Sequence, residues 1–202
     1  MAEKIKNLLF DLGGVVCDID IAEGVQALEN LGIKDVTPTL NRYKQHGVFH
    51  DFECGAIDTT QFCAQLRELS GKPYLGDNQI MNAWNSIVVG FPQDRLKRLR
   101  ELKRTYKMFL LSNTNPSHFD YFPSLMGFFK LEDFFDTLFL SYKMGVCKPE
   151  KRIFDMVLEQ ENIKPEETLF IDDSELNIKQ ASEMGFQTFL VREPSDWLKL
   201  DI

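Results

Sequence analysis

Four short stretches carry side chains able to do chemistry together: Asp11, Ser112-Asn113, Lys148 and Asp172-Asp173. A carboxylate at one place and a carboxylate pair at another can hold a hard cation such as Mg²⁺ through oxygen. A hydroxyl and backbone amides at Ser112-Asn113 can take phosphoryl oxygens, and Lys148 can add positive charge to the same crevice. Taken singly, each has a plainer reading. One Asp at a strand end is usually a cap or turn residue. Ser112-Asn113-Thr114-Asn115 alone is more often a loop-to-helix cap, and Asp172-Asp173 alone can be a charge pair at a helix N-terminus. A lone lysine is most often just solvated. The functional reading rests on their order and on their common place at the ends of apolar runs.

Those runs predict the elements that must position them. Leu8-Leu9-Phe10 stops at Asp11 and is followed by Gly13-Gly14. Lys107 to Leu111 stops at Ser112, Thr137 to Leu140 at Ser141, and Thr168 to Ile171 at Asp172. Near-continuous apolar runs, rather than alternating ones, indicate strands buried on both faces, as in parallel sheets. Helical patterns separate them. Leu96, Leu99 and Leu102 recur at helical spacing, Pro149 opens a helix with Ile153, Phe154, Val157 and Leu158 on one face, and Glu175 to Met184 stops at Gly185. Gln187 to Val191 reads as a last strand. The alternation predicts an α/β fold with a doubly wound, Rossmann-like parallel sheet. In such sheets ligands bind outside the carboxyl ends of the strands, so all four stretches meet at one crevice.

Residues 18–90 break the alternation. Ile21 to Leu31, Phe62 to Leu69 behind a capping-box-like Asp58-Thr59-Thr60-Gln61, and Asp77 to Val88 all read as helices. The expected organisation is a core of residues 1–17 and 91–202 with a helical cap domain, 18–90, inserted after the first strand.

In this order the stretches resemble the haloacid dehalogenase superfamily. The parts that carry the resemblance are Phe10-Asp11-Leu12-Gly13-Gly14-Val15-Val16, Leu111-Ser112-Asn113-Thr114, Lys148-Pro149-Glu150 and Phe170-Ile171-Asp172-Asp173. Within the superfamily the chain is similar to bacterial sugar-phosphate phosphatases of the α-glucose-1-phosphate type and to the phosphatase domain of soluble epoxide hydrolases. The resemblance implies a phosphatase in which Asp11 attacks phosphorus and forms an aspartyl-phosphate. Ser112 and the amide of Asn113 would hold the phosphoryl group, and Lys148 would offset its charge and that of Asp11. Mg²⁺ would be bound by Asp11, Asp173, the carbonyl of Gly13, and Asp172 directly or through water. Most phosphatases of the superfamily have a second Asp two residues after the nucleophile as general acid and base; here it is Gly13. Asp18 is the nearest ionisable substitute in sequence, beside a fixed water or the substrate itself. Dehalogenases of the superfamily also lack that Asp but need no metal, and the Asp172-Asp173 pair fits Mg²⁺ better. The implied substrate is a small phosphorylated metabolite, a sugar phosphate first. The rivals are a 2-haloacid dehalogenase and a binding or regulatory protein weakened by Gly13.

The cap is expected to meet the leaving group. Phe49, His50 and Glu53 fall between predicted helices where they can face the crevice. Trp84 is expected in the cap core, and His118, following the Ser112-Asn113 loop, opens a helix from which it can also line the crevice.

Composition narrows the partners. Across 202 residues the net charge is -8, with Lys and Arg spread along the chain. That excludes the clustered positive footprint nucleic acid needs. No apolar run reaches the roughly 20 residues that cross a bilayer, and Met1 to Asn7 shows no signal-peptide pattern. A cytoplasmic protein is expected. Cys17, Cys54, Cys63 and Cys147 show no CxxC spacing, so reduced, mostly buried thiols are expected. Nothing in the sequence sets the oligomeric state.

Overall fold

Strands of the main sheet are apolar on both sides because both sides are covered. In the computed structural model, which describes residues 4–34, 36 and 47–202, these strands are β1 (Asn7–Phe10), β4 (Lys107–Ser112), β5 (Thr137–Leu140), β6 (Thr168–Asp172) and β7 (Gln187–Leu190). They pair in parallel in the order β5-β4-β1-β6-β7. Side chains alternate between two cores. Leu8, Phe10, Met108, Leu110, Leu140, Leu169 and Ile171 enter one, while Leu9, Phe109, Leu111, Phe139 and Phe170 enter the other. The first core is closed by α5 (Gln93–Leu102) and α6 (Pro116–Met126), the second by α8 (Lys151–Glu161) and α9 (Glu175–Glu183). The result is the three-layer α/β architecture that the apolar runs predict.

The chain leaves β1 through a turn whose amides at Val16 and Cys17 both donate to the Leu12 carbonyl. Gly14 sits there at φ 77°, a conformation glycine takes without strain. Trp197, fully buried near the C-terminus, donates its indole N–H to the Val15 carbonyl at 3.0 Å and pins the turn to the first core. The short strands β2 (Asp18–Ile19) and β3 (Val88–Gly90) then pair antiparallel. Among the described residues, the helices between them are α1 (Ile21–Asn30), α2 (Val48–Glu53), α3 (Thr59–Ser70) and α4 (Asp77–Asn85).

Local signals start these helices. Asp20 accepts from the Glu23 amide, and Asp58 and Gln61 form the capping box expected of them. The insert has its own core, in which Phe49 stacks on Trp84 at 5.2 Å and Phe52 on Phe62 at 4.2 Å. Such ring pairs add about 0.5–1.5 kcal/mol each beyond area burial.

Three expectations differ from the structure. Val88 belongs to β3 rather than to the preceding helix, because the backbone extends after Ser86 to pair with β2. Phe49, His50 and Glu53 lie within α2, a six-residue helix too short to show a period. Cys54 and Cys147 are joined in a disulfide 93 residues apart in sequence, while Cys17 and Cys63 are free and buried. Part of the expected 18–90 cap lies outside the described residues. No helix among the described residues is long and apolar enough to cross a membrane.

Candidate active site

Register sets the first contacts of the site. Phe10 lies level with Ile171 on β6 and with Leu110 on β4. The next residue, Asp11, therefore leaves β1 beside Asp172, and its amide donates to the Ile171 carbonyl at 2.8 Å. Ser112 ends β4 on the other side. The loop before α8 brings in Lys148, whose bond to Pro149 is cis. Lys148 Nζ donates to Asp11 Oδ1 and to Asp172 Oδ2, each at 2.6 Å. All three residues are buried.

Charge is concentrated and shielded here. Burial above all, helped by the charges of Asp172 and Asp173 and opposed by Lys148, pushes the Asp11 carboxyl up to about 7. Burial alone would push the Lys148 ammonium down, but Asp11 and Asp172 outweigh it and hold it above its ordinary value. Asp11, Asp172 and Asp173 offer carboxylate oxygens within 4.8 Å of one another. The three carboxylates bring oxygen donors and negative charge to one place. An all-oxygen donor set of that charge suits a hard divalent cation, so the residues fit magnesium.

Two asparagines support this centre, and sequence reasoning missed what they do. Asn113 grips the backbone of Lys148: its Oδ1 accepts from the Lys148 amide at 2.8 Å and its Nδ2 donates to the carbonyl at 3.0 Å. Asn177 Nδ2 reaches both oxygens of Asp172 at 3.1 Å, and the Ser174 amide donates to Asp172 Oδ1 at 2.8 Å. Asp172 is fully buried behind Lys148, whereas Asp173 reaches the cleft. Asn177 has a signal in sequence, since it stands on the first turn of the helix that follows the carboxylate pair.

Asp11, Gly13, Ser112, Asn113, Lys148 and Asp173 all line one cleft of about 530 Å³, large enough for a small metabolite. Its opposite wall comes from the insert: Ile19, His50, Glu53, Trp84 and Ile87. Phe49 does not reach it and is spent in the aromatic core. Asp18 does not line the cleft either; its carboxylate pairs with Arg95 at 2.7 Å across the β2 connection. Gly13 adopts no left-handed backbone, and a Cβ there would meet only Ile19, at 3.4 and 3.6 Å.

His118 lines the cleft but both ring nitrogens are engaged. A carbonyl only accepts, so Nε2 carries the proton it gives to Trp84 O at 3.1 Å. Nδ1 then accepts from Asn115 Nδ2 at 3.1 Å, and the imidazole stacks on Trp84 at 4.8 Å. Burial pushes its pKa down to about 4. It is a neutral clamp between α6 and α4 rather than an acid or base.

Known proteins resemble the chain in sequence and fold. The chain matches the haloacid dehalogenase-like hydrolases over residues 5–185. It is 37% identical over 196 residues to D-ribitol-5-phosphate phosphatase of Bacteroides thetaiotaomicron, covering 96% of this chain and 95% of that protein. A crystal structure of a haloacid dehalogenase family enzyme from Bacteroides thetaiotaomicron, in complex with magnesium and inorganic phosphate, superposes with a TM-score of 0.87 at 39% identity. It covers 96% of this chain and 97% of that one. The similarity to bifunctional epoxide hydrolase 2 of Rattus norvegicus is 40% identity over 70 residues, 35% of this chain and 13% of that protein.

Proposed function

The chain belongs to the haloacid dehalogenase-like hydrolases, and from that premise we propose that it is a magnesium-dependent phosphatase of a small phosphorylated sugar or sugar alcohol. The observation that carries this reading is Lys148 Nζ held at 2.6 Å from both Asp11 and Asp172, with Asp173 beside them on the cleft wall. The relative that acts on D-ribitol 5-phosphate supports the substrate class.

Asp11 is the nucleophile. An oxygen of its carboxylate forms a bond to phosphorus as the ester P–O bond breaks, and the leaving alkoxide takes a proton. Water then attacks phosphorus, the bond to Asp11 breaks, and inorganic phosphate leaves with the carboxylate restored. Lys148 balances the charge on Asp11 and the phosphoryl oxygens. Asn113 holds the Lys148 backbone in place, and Asp172 holds its ammonium. Ser112 and the Asn113 amide cradle the transferring group. Asp11, Asp173 and the Gly13 carbonyl, with Asp172 directly or through water, would hold magnesium, which when bound would supply electrostatic stabilisation of the phosphoryl oxygens. The helical insert serves as the cap, with His50, Glu53 and Trp84 facing the leaving group and Ser112 and Lys148 facing the phosphate.

The test is phosphate release from a panel of phosphorylated sugars and sugar alcohols, with and without EDTA. Release that requires magnesium and vanishes in Asp11→Asn is expected. Undiminished turnover in Asp11→Asn, or in EDTA, would remove the basis of the proposal.

A further inference from the structure

We propose that Cys54 and Cys147 form a reversible covalent latch that closes the helical insert over the cleft under oxidising conditions. This regulation rests on the phosphatase reading of the same site. Cys147 directly precedes Lys148 and lines the cleft, whereas Cys54 follows α2 of the insert. Their bond therefore ties the insert wall to the residue next to the charged centre. Ile19 and Val88, on the paired strands where the insert leaves the core, line the same cleft as Cys147. A tie at Cys147 is a second attachment of the insert to the core, in addition to that connection.

The contacts around the pair are those of a docking point. Ser141 Oγ lies 2.6 Å from the Glu53 carbonyl and donates to it. Gly55 adopts φ 69° against Tyr142, where a Cβ would run into the Tyr142 carbonyl. A hydrogen bond and a close backbone approach can separate when substrate enters. A covalent bond cannot. The 5.5 Å between the two Cα atoms lies within the ordinary range for a disulfide.

The chemistry also has a proton acceptor in place. His50, one helical turn before Cys54, sits with Nε2 at 3.4 Å from Cys54 Sγ. His50 takes the Cys54 proton, and the thiolate attacks one sulfur of a low-molecular-weight disulfide such as oxidised glutathione, expelling one glutathione thiolate. The Cys147 thiolate, having given up its proton to water, then attacks Cys54 Sγ and expels the second. Two protein thiols are oxidised, one small disulfide is reduced to two thiols, and dithiothreitol reverses the exchange.

The experiment compares full-length protein equilibrated with oxidised glutathione and with dithiothreitol, each checked for the Cys54–Cys147 cross-link by mass spectrometry of non-reduced digests. Phosphate release from a sugar-alcohol phosphate should be at least about tenfold slower in the cross-linked form, because opening of the insert limits entry. Dithiothreitol should restore it, and Cys54→Ser should be indifferent to either treatment. Full cross-linking with unchanged turnover overturns the latch, and so does failure of the two thiols to cross-link. Stoichiometric zinc on the reduced protein, lost in Cys54→Ser, would also overturn it by making His50, Cys54 and Cys147 a metal site. If neither form releases phosphate, the phosphatase reading has failed separately. Amide exchange then decides the latch: slower exchange across 47–55 in the cross-linked form supports it, and equal exchange overturns it.

Discussion

The two walls of the cleft are built on opposite principles. On the sheet side, the charged groups are held by dedicated partners: Lys148 by two carboxylates and by Asn113, Asp172 by Asn177 and the Ser174 amide. On the insert side, Ile19, Trp84 and Ile87 are apolar, and polarity comes from His50 and Glu53. Fixed charge close to the reacting atoms acts on every substrate alike, because the phosphoryl group is common to all. A mostly apolar wall with a few polar groups discriminates among leaving groups instead. The difference teaches where to expect losses in turnover and where to expect changes in preference.

The strongest way to break the contrast is Lys148→Met. Phosphate release should fall by at least about 10³-fold on all substrates. Without magnesium, the two uncompensated carboxylates should lower stability by roughly 3–5 kcal/mol, measured by denaturant unfolding. A loss confined to some substrates would blur the distinction between the walls.

His118 tests how firmly the walls are joined. Its pKa is about 4 in the folded protein against roughly 6.5 unfolded. Between those values the unfolded chain binds more protons, so this stabilisation is complete above about pH 6.5 and drains away as pH falls toward 4. The loss amounts to up to about 3 kcal/mol by the acid end. Subtracting the unfolding profile of His118→Gln from that of the wild type isolates the effect from the carboxylates that titrate in the same window. A pH-independent difference would mean that the imidazole is not buried neutral.

Asn177→Ala should weaken magnesium binding by about 10–100-fold, as loss of an outer partner of a metal-site carboxylate does. Calorimetric titration measures it, and unchanged affinity would confine Asn177 to packing. On the insert wall, Glu53→Gln should shift the ranking of sugar-alcohol phosphates by about tenfold while leaving an aryl phosphate nearly untouched. Equal losses on both would place Glu53 with the chemistry. The smallest effect is expected at Gly13→Asp. With no acid at position 13, esters with good leaving groups should outpace alkyl phosphates, and the substitution should narrow that gap. The Cβ meets only ordinary contact with Ile19, so failure to narrow it would point to another proton donor.

Legibility in the sequence followed the same division. The sheet and its chemistry could be read because each apolar run stops at a polar or charged residue, so β1, β4 and β6 announce both themselves and Asp11, Ser112 and Asp172. The insert yielded less. Helical periodicity runs on from α4 into Val88, and nothing local announces that the chain must extend there to pair with Asp18 and Ile19. The six residues of α2 are too few to show a period, so Phe49 read as a cleft residue although it stacks on Trp84. Cys54 and Cys147 belong to no spacing pattern; only the docking of the insert makes them neighbours. Asn113 was legible as a site residue, but its grip on the Lys148 backbone spans 35 positions and depends on tertiary approach.

The central claim is that phosphate passes through Asp11. It is tested most directly by acid-quenching the enzyme during turnover and mapping phosphoryl groups by peptide mass spectrometry. The account predicts a phosphoryl group on the peptide that contains Asp11, absent in Asp11→Asn. A phosphoryl group on any other residue, or none on any peptide during a resolved burst of leaving-group release, would contradict it.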